Sequence, residues 1–258
     1  ANGNLVVLSP GFATGAGAAT VIAAGSGTHG VVGAANSIVG ANAGDNIGNS
    51  AVALSSNNFV VLSPAFGGLK GAATFMTVGT AGIVSAANSL IGSAAGDGIS
   101  SAGVTTLTNG NYVVKSPNWS GTLGAVTFGN GTTGTSGVVS AANSLVGSIA
   151  GDFVGADGAL NTNPTGAVVA LANGNYVVAT PTWNAGAGAI TFGNGVTGVT
   201  GPITASNSLI GAPGSGLGTP VAAFTKSASN QTSMTAAMDQ TNPVPLPLGT
   251  VIGTLTTP

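Results

Sequence analysis

Apolar residues in this chain come in short runs separated by clusters of Gly, Asn, Ser and Thr, a pattern of strands and turns rather than helices. The most regular run recurs at residues 5–8, 59–62, 112–115 and 176–179, each with Val-Val at its centre: Val6-Val7, Val60-Val61, Val113-Val114 and Val177-Val178. Apolar residues on both faces predict a strand that is covered on both sides. The position after the pair changes from Leu8 to Leu62, Lys115 and Ala179, so this face is expected to open toward solvent at its end. A shorter run precedes three of these strands, at 51–54, 104–107 and 168–171, and reaches them through Ser56-Asn57, Asn109-Gly110 and Asn173-Gly174. Asn-Gly predicts a two-residue type I′ hairpin turn, in which both central residues take positive φ, with Asn57 as the left-handed residue of the variant copy.

A third run, Gly-Ala-x-Thr-x, lies at 17–21, 71–75, 124–128 and 188–192, and a fourth segment of the Ala-Ala-Asn-Ser-Leu-Val-Gly type at 34–40, 86–92, 141–147 and 205–211. Together these make an internal repeat. The Ser/Thr-Pro anchors Pro10, Pro64, Pro117 and Pro181 are 54, 53 and 64 residues apart, and the Asn-Ser anchors Asn36, Asn88, Asn143 and Asn207 are 52, 55 and 64 apart. Four copies are therefore present. The longer last interval reflects a Gly/Asn/Pro-rich insertion at 156–165, of the kind repeats carry in a surface loop. An aromatic ring follows each anchor proline by two residues (Phe12, Phe66, Trp119 and Trp183), and is read as a wedge between neighbouring units.

The expected fold is all-β: four tandem repeats of about 53 residues, each a four-stranded antiparallel blade of β-propeller type. The alternative is a β-solenoid with two coils per unit, disfavoured because solenoid strands run parallel and are not joined by two-residue turns. The four-repeat domain spans 1–225. It starts at the second strand of its first blade and ends with an orphan first strand at 221–224, because 214–225 aligns with 44–55; the two ends either meet within one chain, closing a ring of blades, or between chains, forming an open polymer. Starting inside a repeat, without Met, the chain reads as a piece of a longer precursor. Residues 226–258 form a separate segment, a linker with Pro243, Pro245 and Pro247 followed by a C-terminal strand.

Composition narrows the functional classes. The chain of 258 residues has three Lys, five Asp, one His and no Arg or Glu, so 3% of residues are charged against an ordinary value of about 25%. No basic footprint for nucleic acid exists. Low charge removes the repulsion that keeps molecules apart, so self-association is expected. Mean hydropathy is +0.50, yet no run of 18 apolar residues is present to span a bilayer as a helix. With no cysteine there is neither a disulfide framework nor a thiolate metal site.

The order of elements, a Gly-Asp-x-aliphatic-Gly lead-in (Gly44-Asp45, Gly96-Asp97, Gly151-Asp152), a strand, a tight turn, an apolar strand ending in Ser-Pro and a Gly-Ala-x-Thr strand, resembles the FG-GAP repeats of integrin-α-like β-propellers. It is also similar to the Gly/Asn-rich NGNYVV-SP repeats of large secreted bacterial surface proteins. That resemblance implies a secreted, non-enzymatic protein at the cell surface. FG-GAP repeats often carry an Asp-rich calcium loop between the first two strands; here Asn57-Asn58 or Asn109-Gly110-Asn111 stands there, so no calcium is carried over. Asp45, Asp97 and Asp152 offer one carboxylate per unit, where a hard cation wants six or more oxygens, and are read as turn caps.

No catalytic, cofactor-binding or metal-binding residue is assigned, and no cofactor is expected. The sole imidazole, His29, sits in a loop where other copies have Ala81 or Ser136, and Asp157 and Asp239 are isolated. No nucleophile-base pair or carboxylate pair is recognisable. The expected function is an extracellular structural protein that polymerises with its own kind, one unit's terminal strand completing another's sheet, into a fibre or surface layer. The alternative is an adhesin or glycan-binding module that uses residues 156–165, Trp119 and Trp183 against a host or sugar surface.

Overall fold

The computed structural model describes residues 3–27, 30–156 and 168–218, together with the backbone of two short strands further on. Repeat 1 contributes β1 (Leu5–Ser9), β2 (Ala18–Ile22) and β3 (Ile38–Val39). Repeat 2 contributes β4 (Ser50–Ala53), β5 (Phe59–Ser63), β6 (Ala72–Met76), β7 (Gly82–Ile83) and β8 (Leu90–Ile91). Repeat 3 contributes β9 (Val104–Thr106), β10 (Tyr112–Ser116), β11 (Ala125–Gly129), β12 (Gly137–Val138) and β13 (Leu145–Val146). Repeat 4 contributes β14 (Val168–Ala170), β15 (Tyr176–Thr180), β16 (Ala189–Gly193), β17 (Gly201–Pro202) and β18 (Ser208–Ile210). Beyond it, β19 (Phe224–Lys226) pairs antiparallel with β20 (Met234–Ala236). The orphan strand expected at 221–224 lies outside the described residues except for Phe224.

The fold is all-β, four repeats each forming a four- or five-stranded, mostly antiparallel sheet. Sheet 2 has the order β4-β5-β6-β8 and sheet 3 the order β9-β10-β11-β13, every pair antiparallel. Each then gains a fifth, parallel strand from the following repeat: β12 beside β8 and β17 beside β13. Sheet 1 likewise takes β7 beside β3. After its third strand each of repeats 2 to 4 thus dips back to the preceding sheet before returning as its own fourth strand. The four-strand reading does not contain these crossings, which are two residues long and have their partners in another repeat.

Sheets stack face to face in chain order, and the Val-Val pair explains why. Val61 packs in the cluster between sheets 1 and 2, with Ala19, Ile38 and Met76, while its neighbour Val60 points the other way, into the cluster with Leu90, Tyr112 and Val114. Val113 and Val178 meet in the next layer. Phe75 of sheet 2 lies parallel to Tyr112 of sheet 3 with ring centroids 6.4 Å apart. Stacking along the whole strand also overturns the expected solvent opening: Leu62, Lys115 and Ala179 are all buried. For Leu62 and Lys115 the neighbouring sheet continues over the face, whereas Ala179, on the outer face of sheet 4, is covered by the lead-in of its own repeat at Gly218.

The hairpin turn differs from its expected type. Gly110 and Gly174 take φ of 90° and 89° and Asn57 takes 60°, but Asn109 and Asn173 are not in the left-handed region. Gly110 N–H donates to Leu107 O and Leu107 N–H to Asn111 O, so the connection is a β-turn followed by a single left-handed bulge residue. Asn109 Oδ1 accepts the Asn111 N–H at 3.1 Å, a local bond that holds asparagine in its ordinary φ range.

Candidate functional site: the joint between repeats

Each joint is built from four devices that the repeat sequence supplies in the same order. First is the lead-in aspartate. Asp97 Oδ2 accepts the N–H groups of Ser93 (2.8 Å) and Ala94 (2.9 Å) and the Ser93 hydroxyl, which caps its own turn. Its Oδ1 reaches into the next repeat and accepts the Ser120 N–H at 2.9 Å. Asp45 does the same with Ala41, Asn42 and, across the joint, Gly67 at 3.0 Å; Asp152 does so with Ser148, Ile149 and, across the joint, Asn184 at 2.8 Å. All three carboxylates are buried. The turn-capping reading of these residues therefore holds, and the bond across the joint adds to it. Among the described residues no group of three His, Cys, Asp or Glu side chains converges to hold a metal.

The second device is the loop that receives the carboxylate. It follows the anchor proline as Phe12–Gly15, Phe66–Leu69, Trp119–Thr122 and Trp183–Gly186, and its two central residues adopt left-handed φ/ψ. Only repeat 2 uses glycine at both places, Gly67 and Gly68; the others hold Ala13-Thr14, Ser120-Gly121 and Asn184-Ala185 there. For a residue with a Cβ this geometry costs roughly 1–2 kcal/mol, so something must stabilise it. A carboxylate on the first amide of the pair is one such stabiliser.

The third is the aromatic wedge. Phe66 packs against the cluster between sheets 1 and 2, Trp119 against that between sheets 2 and 3, and Trp183 is buried within that between sheets 3 and 4. The wedge reading is thus met for Phe66, Trp119 and Trp183. The fourth is the crossing strand, held by Gly82 N–H to Ser37 O and Val84 N–H to Val39 O, with equivalents from Gly137, Val139, Gly201 and Ile203. The anchor asparagine stitches it down: Asn88 Oδ1 accepts the Ser85 N–H and Nδ2 donates to Ile83 O, both at 2.9 Å. Asn36, Asn143 and Asn207 repeat the pattern. A Gly-aliphatic-aliphatic recurrence at 82–84 and 137–139 is the sequence signal that marks this strand.

Close approach of backbone completes the joint. The lead-in crosses the start of the third strand as bridges Gly71 to Ile99 and Gly124 to Val154. A Cβ on Gly124 would sit 2.2 Å from the Val154 nitrogen, and φ there is +77°, so this position requires glycine twice over. The anchor serine joins in: Ser63 Oγ and Ser116 Oγ each accept an N–H of the arriving lead-in, from Gly48 and Ser100, at 3.2 Å.

Among the described residues, the face of repeat 1 that corresponds to the receiving half of such a joint has no sheet packed on it. Leu5 is 58% and Val7 41% exposed, where their counterparts Phe59, Val61, Tyr112, Val114, Tyr176 and Val178 are buried. Val32, equivalent to the buried Val84, Val139 and Ile203, is 36% exposed. Among the described residues β1 is the edge strand of its sheet, whereas β5, β10 and β15 each have a first strand alongside. Residues His29, Asp157 and Asp239 and most of 156–165 lie outside the described residues.

Stacked four- and five-stranded sheets joined by a recurring polar latch define a tandem-repeat protein. The family model described as "Repeat of unknown function (DUF5650)" matches residues 1–49, 53–101, 106–156 and 170–215, and the chain belongs to that family. No curated protein matches the chain.

Proposed function

We propose that this is a non-enzymatic structural protein of the cell surface or extracellular space, which assembles end to end by strand complementation between repeats. One observation carries the reading: every repeat docks on the one before it through the same crossing strand and the same buried carboxylate bond, a joint that any further unit of this kind can extend. An unpaired strand edge over an apolar face is a template for another chain. A second copy or another repeat of this type supplies the strand, and the polymer is a fibre or a layer. The low charge favours such association, and the secreted location follows the resemblance to surface repeat proteins. At the finer level we read the stack as propeller-like, in the manner of FG-GAP blades, since antiparallel meanders pack face to face; the parallel crossings are the solenoid-like element.

The adhesive alternative has less support, because Trp183 is built into the core and Trp119 is half-buried against it. Sedimentation velocity and electron microscopy over a range of concentrations test the assembly reading. Wild-type protein is expected to form concentration-dependent oligomers or filaments, and Val7→Lys, which places a charge on the open face, to sediment as a monomer. Discrete monomeric particles of wild type at every concentration would overturn it.

A further inference from the structure

Resting on the assembly reading, we infer that the size of one side chain selects which unit docks on which sheet. The selecting residue, a knob, is the next-to-last of the third strand: Val21 in β2, Phe75 in β6 and Phe128 in β11. A sheet with phenylalanine there takes a unit with tyrosine at the start of its second strand, glycine at the end of its third and seven residues (130–136 or 194–200) before its crossing strand. A sheet with valine there takes a unit with phenylalanine and methionine at those two places and five residues, 77–81, before its crossing strand.

The large knobs meet a hollow socket. Phe75 packs in the cluster that holds Tyr112, and Phe128 in the one that holds Tyr176. Room for them comes from missing side chains. Gly129 stands opposite Tyr112 and Gly193 opposite Tyr176, and a Cβ on either glycine would lie 2.1 Å from the tyrosine Cζ. The loop before the crossing strand then closes over the knob: a Cβ on Gly134 would lie 2.6 Å from Phe75 Cβ, and one on Gly198 2.6 Å from Phe128 Cβ. The preceding repeat fastens this loop. Gly131 O accepts from the Ser56 hydroxyl at 2.8 Å and from Asn58 Nδ2 at 3.2 Å, and Gly195 O accepts from Asn109 Nδ2 and Asn111 Nδ2, both at 2.7 Å.

The small knob meets a filled socket. Val21 packs with Phe59 and Met76, which stand opposite each other in register and are both buried. Met76 thus occupies the place that Gly129 and Gly193 leave empty. In the shorter loop a Cβ on Gly79 would meet nothing within 4 Å, so this glycine does not sit against the knob. A close-packed interior tolerates neither an extra ring nor a void without cost. A phenylalanine knob therefore clashes with the filled socket, and a valine knob leaves the hollow one empty. The same fit selects the unit that extends the stack when that unit belongs to another copy.

Amide hydrogen exchange of the full chain reads each joint separately. The N–H groups of Gly82 and Val84 report the joint between repeats 1 and 2, and those of Gly137 and Val139 the joint between repeats 2 and 3. Val21→Phe is expected to speed exchange of Gly82 and Val84 at least about tenfold, as overpacking implies, and to leave Gly137 and Val139 unchanged. A second variant adds the hollow socket to repeat 2, with Phe59→Tyr and residues 76–81 replaced by the sequence of 129–136, and should restore protection. The hollow socket without Val21→Phe should lose it again. If Val21→Phe does not fold, a folded chain regained with the hollow socket supports the rule in the same way. Unchanged protection in Val21→Phe, or a hollow socket that restores neither protection nor folding, would overturn it. These outcomes are read within one chain, so they stand apart from a wild type that is monomeric at every concentration, which would overturn the assembly reading alone.

Discussion

Replacing Asp97 by asparagine tests whether the lead-in carboxylate holds neighbouring repeats together. The substitution preserves size but leaves one oxygen where two accept. If that oxygen stays with the Ser93 and Ala94 amides, the new NH2 group is set against the Ser120 N–H, donor facing donor, in a buried site. One hydrogen bond to a charged acceptor, worth about 1.5–3 kcal/mol, is lost, and those that remain lose their charge assistance. The expected destabilisation is about 2–4 kcal/mol, a large part of a total of about 5–15 kcal/mol. Urea unfolding followed by tryptophan fluorescence in a Trp183→Phe background reads this directly, since Trp119 is then the only indole and adjoins Ser120. Asp152→Asn should behave alike, whereas Ser215→Asn, at a position without a cross-joint bond, should change little. An Asp97→Asn midpoint within about 0.5 kcal/mol of its parent at an unchanged m-value would refute the latch as a source of stability.

Three further outcomes are expected. Gly124→Ala places a Cβ against the Val154 backbone at positive φ and should destabilise by at least about 2 kcal/mol, measured by the same urea transition; a neutral result would refute the close-approach argument. Trp183→Ala empties the wedge between sheets 3 and 4 and should cost about 3–5 kcal/mol, while a neutral effect would return that ring to the surface. Burial raises the phenol pKa of Tyr112 and Tyr176 well above the usual tyrosine range, with the Thr135 backbone partly offsetting this for Tyr112. The folded state therefore holds these protons longer than the unfolded chain. Their contribution to stability is fully present below about pH 10 and is lost as pH rises beyond it. Phenolate absorbance should appear together with unfolding, and ionisation of both tyrosines in a still-folded protein would contradict their burial.

Much of the strand order is legible in the amino-acid sequence, because it rests on local chemistry. Val-Val at the centre of β5 and β10 calls for cover on both faces, and sheets stack on both; in β15, Val178 meets sheet 3 while Val177 is covered by Leu171, Ile190 and Leu217 of its own repeat. Asn57 is legible as a left-handed residue because few side chains tolerate that region. Asn109 departs from the expected type I′ geometry because its conformation depends on its own side chain bonding the Asn111 amide, a choice that the Asn-Gly pair alone leaves open.

What the sequence by itself determined was the repeat, its length and the strands that alternate or run apolar over four or five residues, since those signals lie within one unit. Apart from the aromatic wedges, what spans two units was decided by the tertiary structure alone. A two-residue crossing strand such as Gly82–Ile83 has no periodicity to betray it and exists because Ser37 and Val39 of the preceding repeat accept its hydrogen bonds. Lys115 sits under a neighbouring sheet that its own segment cannot announce. Asp97 reads as a turn cap from its neighbours in sequence, and becomes a latch only when the stacking of sheets brings the Ser120 amide, from the next repeat, within reach of its second oxygen.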